Sequence, residues 1–151
     1  MMKKLLWIAL LLSFTGCVSS TIPNYIQDKN PYKKTFYGPF DKVQEAITKA
    51  FEESGWAIEK ESRPDLFERD RGLGSVNKQT LIFTEVRQAS FFVGSRYARI
   101  NAYLNETANN ETAVEIRYLN VTLVMFKSFY RYKNDHAVEH IFSKIEENLS
   151  C

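Results

Sequence analysis

The five residues from His136 to His140 form the most catalytic-looking string in this 151-residue chain. Their order, His-Ala-Val-Glu-His, matches a pattern in which two histidines one helical turn apart bind zinc and the glutamate activates water. A catalytic zinc also needs a third protein ligand. Glu147 shares the helix face of His140 but lies about 10 Å farther along the axis, and the apolar stripe faces the other way. We therefore interpret the string as a solvated helix face, with an adventitious surface metal site as the alternative.

A second group of candidate ligands lies in the charged loop between residues 63 and 78. Three carboxylates alternate there with three arginines, in the order Arg63, Asp65, Glu68, Arg69, Asp70 and Arg71. We interpret this loop as solvated and self-paired, and a cation site is the alternative. The sequence contains no nucleophile motif and no phosphate-cradling glycine loop. We therefore expect no catalytic residues, no metal site, no cofactor and no enzymatic activity.

Three large apolar residues, Phe91, Phe92 and Val93, stand beside Gly94 in what reads as a connection between two strands. If the strands simply continue through them, these side chains belong to the core. If they are exposed, they form an apolar tip that contacts a partner or the membrane face. We favour burial in the core, and we take the three residues as the candidate partner contact if they are exposed.

The first 17 residues predict where the protein is located. Two lysines precede the apolar run Leu5–Leu12, which is too short to span a bilayer, so residues 1–16 read as a signal peptide. The run ends in Phe14-Thr15-Gly16-Cys17, which resembles the lipobox of bacterial lipoproteins. The resemblance implies cleavage before Cys17 and acylation of its thiol and amino group. The alternative is a plain signal peptide cut elsewhere, with Cys17 an ordinary thiol.

Lipidation of Cys17 would anchor the chain stably in a membrane, since several acyl chains hold where one is marginal. Val18 after the anchor points to the outer membrane in the enterobacterial sorting pattern. Residues 17–32 then read as lipidated cysteine and polar tether. Cys151, the other cysteine, is either an exposed tail or the site of an intermolecular disulfide that forms a dimer.

The charge of the mature chain argues against nucleic acid as a partner. The whole sequence has 20 Lys and Arg against 18 Asp and Glu, and two of the lysines lie in the signal peptide. The mature chain is therefore formally neutral. Phosphate backbones are bound through a surplus of Lys and Arg, so we expect no nucleic-acid partner.

Two segments show the 3.6-residue period of amphipathic helices. Asp41–Ser54 carries its apolar residues on one side and is followed by Gly55, a typical stop signal. His136–Leu149 also carries its apolar residues on one side, and Asp135 is placed to cap this helix. Each helix is expected to bury one stripe against a sheet.

Between and before the helices, five segments alternate as strands do: Pro31–Tyr37, Trp56–Ser62, Thr80–Val86, Arg96–Leu104 and Thr112–Met125. The last two flank a short Asn-rich turn and predict a hairpin. We read Ala89–Gly94 as an apolar connection and Phe126–Tyr132 as an aromatic bridge. Residues 33–151 are therefore predicted to form a single two-layer α+β domain. Its four- to five-stranded, mainly antiparallel sheet would carry both amphipathic helices on one face.

This order of elements resembles small bacterial envelope lipoproteins of helix-grip type, such as the domains of the BamC lipoprotein of the outer-membrane β-barrel assembly machinery. The most similar stretch runs from Phe40-Asp41-Lys42-Val43 through Ser54-Gly55-Trp56-Ala57-Ile58. The resemblance implies a helix-grip fold and a non-enzymatic accessory role in the envelope.

We therefore expect an outer-membrane-anchored periplasmic lipoprotein that binds an envelope assembly or transport complex. The contact would be made through the sheet or through Phe91–Val93. The alternative is a carrier for a lipid or another small apolar ligand. Its cavity would lie under the C-terminal helix, lined by residues 121–126 with Ile141 and Phe142.

Overall fold

The computed structural model describes residues 21–68, 77–107, 110–125 and 127–150. The predictions made for the signal peptide, Cys17, Asp70 and Cys151 lie outside these residues.

The described residues form seven strands, two α-helices and one short 3₁₀ turn, Pro64–Leu66. In chain order the elements are β1 Tyr32–Tyr37, α1 Phe40–Glu53, β2 Ile58–Ser62, β3 Gln79–Thr84, β4 Arg87–Phe91, β5 Gly94–Thr107, β6 Glu111–Val124, β7 Lys127–Arg131 and α2 Asp135–Ser150. The predicted α+β class is confirmed, with one antiparallel sheet and two helices.

The sheet is organised around the long hairpin of β5 and β6. These strands pair along 14 residues each, from Gly94 opposite Val124 to Thr107 opposite Glu111. Along one half of the hairpin, β6 pairs with β1 and β5 pairs with β3, so that the strand order of the sheet there is β1-β6-β5-β3-β2. In the other half, β4 and β7 replace β3 and β1 as the neighbours of β5 and β6.

The predicted count of four to five strands is wrong, because the sequence pattern assigns residues of β4 and β7 to connections and the sheet has seven strands. The apolar connection Ala89–Gly94 contains the end of β4 and the turn into β5, and the aromatic bridge Phe126–Tyr132 contains β7. All ten residues of these two strands are exposed. A strand with both faces open has no need to alternate apolar and polar residues, so its period is absent from the sequence.

Helix α1 follows its sequence signals closely. Its buried residues are those of the predicted apolar stripe, joined by Phe40: Val43, Ala46, Ile47, Ala50 and Phe51. The helix ends in a Schellman arrangement. The N–H of Trp56 donates to the carbonyl of Phe51 (2.8 Å) and that of Gly55 to Glu52 (2.9 Å). Gly55 adopts φ +75°, the left-handed conformation that a glycine reaches without strain.

Helix α2 begins one residue earlier than predicted, and its cap is a different side chain. Asn134 Oδ1 accepts a hydrogen bond from the N–H of Ala137 at 3.2 Å. Asp135 is the first helical residue, and its carboxylate accepts the hydroxyl of Tyr32 at 2.5 Å. The prediction of Asp135 as the cap is therefore wrong. Asn and Asp cap about equally well, so the sequence Asn134-Asp135 could not distinguish them.

Both helices pack against each other and against the same face of the sheet, where the main core lies. The strand residues in this core alternate along β5 and β6, as one face requires: Ile100, Ala102 and Leu104, with Val114, Ile116 and Tyr118. Trp56 and Ile58 join the same core, as predicted for one face of their strand.

The opposite face of the sheet is covered by the chain before β1, over residues 21–31, which the sequence assigns to the tether. Ile26 is fully buried on Leu119 and Val121. Its backbone N–H donates to Asn101 Oδ1 at 2.7 Å, and Asn101 Nδ2 donates back to the carbonyl of Asn24 at 3.2 Å. Packing of the chain on the sheet therefore begins before residue 33.

A buried ionic network anchors this segment to the sheet. Arg117, which is 3% exposed, donates to Glu68 at 2.6 Å and to the hydroxyl of Tyr25 at 2.6 Å. Its second terminal nitrogen lies 3.5 Å from Glu115. Burial and the hydrogen bond to Glu68 raise the pKa of Tyr25 to about 12, so its hydroxyl stays protonated at neutral pH. The network joins the chain before β1, the loop after β2 and strand β6.

We predict that Ile26→Ala destabilises the domain by about 2–5 kcal/mol, because it opens a cavity under a fully buried side chain. The matched control is Gln27→Ala on the next residue, which is exposed and should change stability by less than about 0.5 kcal/mol. Chemical denaturation of both variants measures the difference. Equal stability of the two would mean that residues 21–31 are not part of the folded domain.

Candidate functional site

The candidate site arises from a difference in length between the helices and the central hairpin. A helix of 14 or 16 residues is about 21–24 Å long. Strands of 14 residues extend about 48 Å. The helices can therefore cover only part of β5 and β6. The remaining part, with β4 and β7 along its edges, forms a four-stranded extension whose helix-side face is left open.

The apolar tip is the end of this extension and consists of Phe91, Phe92, Val93 and Met125. Phe92 is fully exposed, and the other three are 42%, 47% and 77% exposed, respectively. The N–H of Met125 donates to the carbonyl of Val93 at 3.4 Å, which joins the β4–β5 and β6–β7 turns. Burial in the core, the interpretation favoured from the sequence for residues 91–93, is therefore wrong, and these side chains are exposed.

Gly94 permits the close approach of the two hairpins at the apolar tip. A Cβ at this position would lie 1.8 Å from the carbonyl oxygen of Leu123, much closer than any real contact. Because this clash is with backbone, a larger residue would force β5 and β6 apart at the tip. The glycine noted in the sequence beside Val93 is therefore required for packing there.

The helix-side face of the extension is basic and aromatic. The register places Arg87, Ala98, Asn120 and Arg131 in one row across the strands, and Ala89, Arg96, Thr122 and Phe129 in the next. Paired residues share a face, so three arginines project from the same surface. Lys127, opposite Val124, adds a fourth cation nearer the tip. We call this surface the basic face.

Two adjoining grooves lie where the basic face meets the ends of the helices. The first, of about 420 Å³, is lined by Arg96, Arg131, Lys133 and Phe129. The second, of about 380 Å³, is lined by Trp56, Arg87 and the first turn of α2. Arg96, Tyr118, Asn120 and Asn134 contribute to both grooves. The residues lining either groove include no carboxylate.

The structure places the two histidines of the catalytic-looking string in solvent. His136 and His140 are both exposed, which confirms that they face away from the core, and they line the second groove. No group of three or more potential metal ligands is present among the described residues.

Asp65 and Glu68, the described carboxylates of the loop after β2, have different partners. Asp65 pairs with Arg63 at 2.6 Å, as the self-paired reading predicts. Glu68 instead pairs with the buried Arg117 of β6. Because Glu68 binds Arg117, it is not available as a ligand for the cation site that was the alternative for this loop.

Sequence reasoning missed the basic face. In the sequence, Arg87 and Arg96 are single charges at the borders of predicted strands. Arg131 lies in the segment that is predicted to be an aromatic bridge. The available signal was the absence of acidic residues from 87 to 98 and from 120 to 133, but only strand pairing makes one surface of them.

No protein-family model and no curated protein matches this chain. Among the described residues, none of the helices has the length and apolar character needed to cross a membrane.

We predict that replacing Phe91 and Phe92 together with serine leaves the thermal unfolding midpoint nearly unchanged, because both side chains are exposed. As a control, Phe83→Ser removes a fully buried ring of the same type and should cost about 3–5 kcal/mol. Melting curves of the two variants are compared with the parent chain. A double variant that melts as low as the Phe83 variant would show that residues 91 and 92 support the core.

Proposed function

We propose that this protein is a non-enzymatic lipoprotein of the bacterial envelope, anchored in the outer membrane through Cys17 and facing the periplasm. In this proposal it is an accessory component that binds a protein of an envelope assembly or transport complex. The exposed apolar tip at the end of the sheet carries the proposal. The lipobox-like string and the resemblance to helix-grip envelope lipoproteins support the location and the class.

The apolar tip has the composition of a contact surface. Aromatic residues and methionine are enriched at protein interfaces, where large side chains bury much area. Three such residues, together with Val93, lie at one end of a small domain, and they lower its solubility unless something covers them. Phe129 and Tyr130, both more than half exposed, extend the apolar surface along β7.

The path of the chain before β1 supports a position of the tip near the membrane. Arg99, in the middle of β5, donates to the carbonyl of Pro23 at 3.4 Å. Pro23 is six residues after Cys17 in the sequence, and an extended chain of six steps spans at most about 21 Å. The tip at Gly94 lies about 17 Å along β5 from Arg99, and the far end at Thr107 about 27 Å. A lipid on Cys17 can therefore lie level with the tip.

The carrier alternative is less well supported by the geometry. Val121 is buried on the outer face of the sheet with Ile26, whereas Ile141 and Phe142 belong to the core on the helix side. These residues cannot line one cavity. Neither groove at the open end of the sheet is lined by Ile141 or Phe142.

We predict that Cys17→Ala removes the protein from the membrane fraction and leaves the unfolding midpoint of the domain unchanged. The thiol is the site of acylation in this proposal, whereas the folded domain packs through residues after Thr21. Labelling with radioactive palmitate, followed by membrane fractionation, measures the effect. Equal labelling of parent and variant would contradict lipidation at this cysteine.

The contact itself is tested with a photo-crosslinking amino acid at Phe92 in growing cells. We expect one discrete adduct with an envelope protein, because Phe92 is fully exposed at the centre of the tip. Tyr37 is the matched control, since it is 83% exposed and pairs with Glu111 at the opposite end of the sheet.

Two outcomes would contradict a protein contact at the tip. One is a set of adducts that is the same at positions 92 and 37, which would reflect random encounters. The other is cross-linking of position 92 to lipid alone, which would assign the tip to the membrane surface.

A further inference from the structure

We propose that the first groove on the basic face, lined by Arg96, Arg131, Lys133 and Phe129, is a binding site for a phosphate ester. This inference goes beyond the proposed contact at the tip and does not depend on it. The ligand class is a phosphate group carried on a small alcohol, either the head group of a lipid or a free glycerol or sugar phosphate.

Of the three cationic side chains that line this groove, two are uncompensated. Arg96 and Arg131 have no carboxylate partner among the described residues. In the adjoining second groove, Arg87 lies over the ring of Trp56 at 4.6 Å, which leaves its charge unneutralised. Lys133 pairs with Asp28 at 3.4 Å. Like charges on one surface repel one another, and an anion between them removes that repulsion.

The neutral polar groups of the groove also present donors. Asn120 Oδ1 already accepts the hydroxyl of Thr122 at 3.1 Å, and Asn134 Oδ1 accepts the N–H of Ala137. The amide nitrogens of both asparagines have no partner among the described residues. Two guanidinium groups and two amide nitrogens therefore line one groove whose amide oxygens are occupied.

A site lined by two arginines and two amide nitrogens, with no carboxylate, fits a phosphate better than a carboxylate. A phosphate ester has three or more acceptor oxygens in a tetrahedral arrangement, and arginine binds pairs of them with two parallel N–H bonds. The groove volume of about 420 Å³ is that of a small-molecule site. Phe129 and Tyr118 line the same groove and offer apolar surface to the carbon part of the ligand.

The helix terminus adds little to this site. The N–H groups of Ala137 and Val138 are already bonded to Asn134, and the carboxylate of Asp135 is turned to Tyr32 of β1. Asp135 does not line either groove. The site therefore depends on Arg96 and Arg131, and these are the residues to test.

The experiment is a calorimetric titration of the mature chain in neutral detergent micelles at constant ionic strength. Two probes are added separately: glycerol 3-phosphate, and a short-chain phosphatidic acid incorporated into the micelles. Diacylglycerol of the same chain length is the probe without phosphate. We expect saturable binding of at least one phosphate probe and none of diacylglycerol.

The paired variants locate the site. Arg96→Gln with Arg131→Gln should weaken binding more than about tenfold, because two charge-assisted contacts are lost. Lys42→Gln with Lys49→Gln removes the same charge from exposed positions on α1 that line neither groove, and should leave binding within about twofold. Both positions in the first variant are exposed, so it should fold.

The two probes distinguish the sources of the phosphate. Binding of phosphatidic acid alone assigns the site to a lipid head group, and binding of glycerol 3-phosphate alone assigns it to a soluble ester. Absence of binding to both, or equal weakening by the two double variants, overturns the proposal. Tighter binding of a hexaglutamate peptide than of either probe also overturns it, in favour of an acidic protein segment.

Discussion

The structure depends on the pairing of β5 with β6 over a length that the two helices cannot match. Fourteen consecutive pairs hold the hairpin in one register, so the strands continue beyond the region that the helices cover. Backbone groups along their outer edges then need partners, and β4 and β7 supply them. The division into a covered half and an open half follows from this single mismatch.

In the covered half, both faces of the sheet are shielded, by different means. The helices cover one face with an apolar core in the ordinary way. The other face is covered by the chain before β1 and the turn after β2, and it contains charged groups. Arg117 can be buried there because Glu68, Glu115 and Tyr25 all contact its guanidinium. Removing one partner of such a network leaves a buried charge, which is the costly case.

The attachment of the chain before β1 to the sheet also has a mechanical consequence. The chain that leads from Cys17 is held on the sheet by Ile26 and by the hydrogen bonds of Asn24 with Arg99 and Asn101. Only a few residues would therefore connect a lipid on Cys17 to the part of the chain that is held on the sheet. A short connection restricts the orientation of the domain relative to the membrane. This connection begins midway along β5, within reach of the open end of the sheet.

The open half combines two kinds of surface within a short distance. The apolar tip offers area to bury, and the basic face behind it offers charge. Charge acts over about 8–10 Å at ordinary ionic strength and can orient a partner before contact, whereas apolar burial acts only on contact. Under the proposed function, the charge would act on an approaching partner first and the apolar tip would act on contact. The proposed phosphate site lies where the basic face meets the helices.

The sequence by itself determined the two amphipathic helices, the long hairpin and the exposure of His136 and His140. These features repeat a local period, because residues that share a buried face recur at fixed spacing. The lipobox-like string at Cys17 is local in the same sense and stays a prediction.

Only the tertiary structure decided the rest, since its causes are not periodic. Strands β4 and β7 are exposed on both faces and depend on their neighbours for backbone pairing, so they have no pattern of their own. Ile22 and Ile26 stand within a mostly polar segment, and their burial depends on Leu119 and Val121. Arg96 and Arg131 share a groove because β5, β6 and β7 pair in one register. Such a site is created by the relative position of distant segments, which no single segment of the chain encodes.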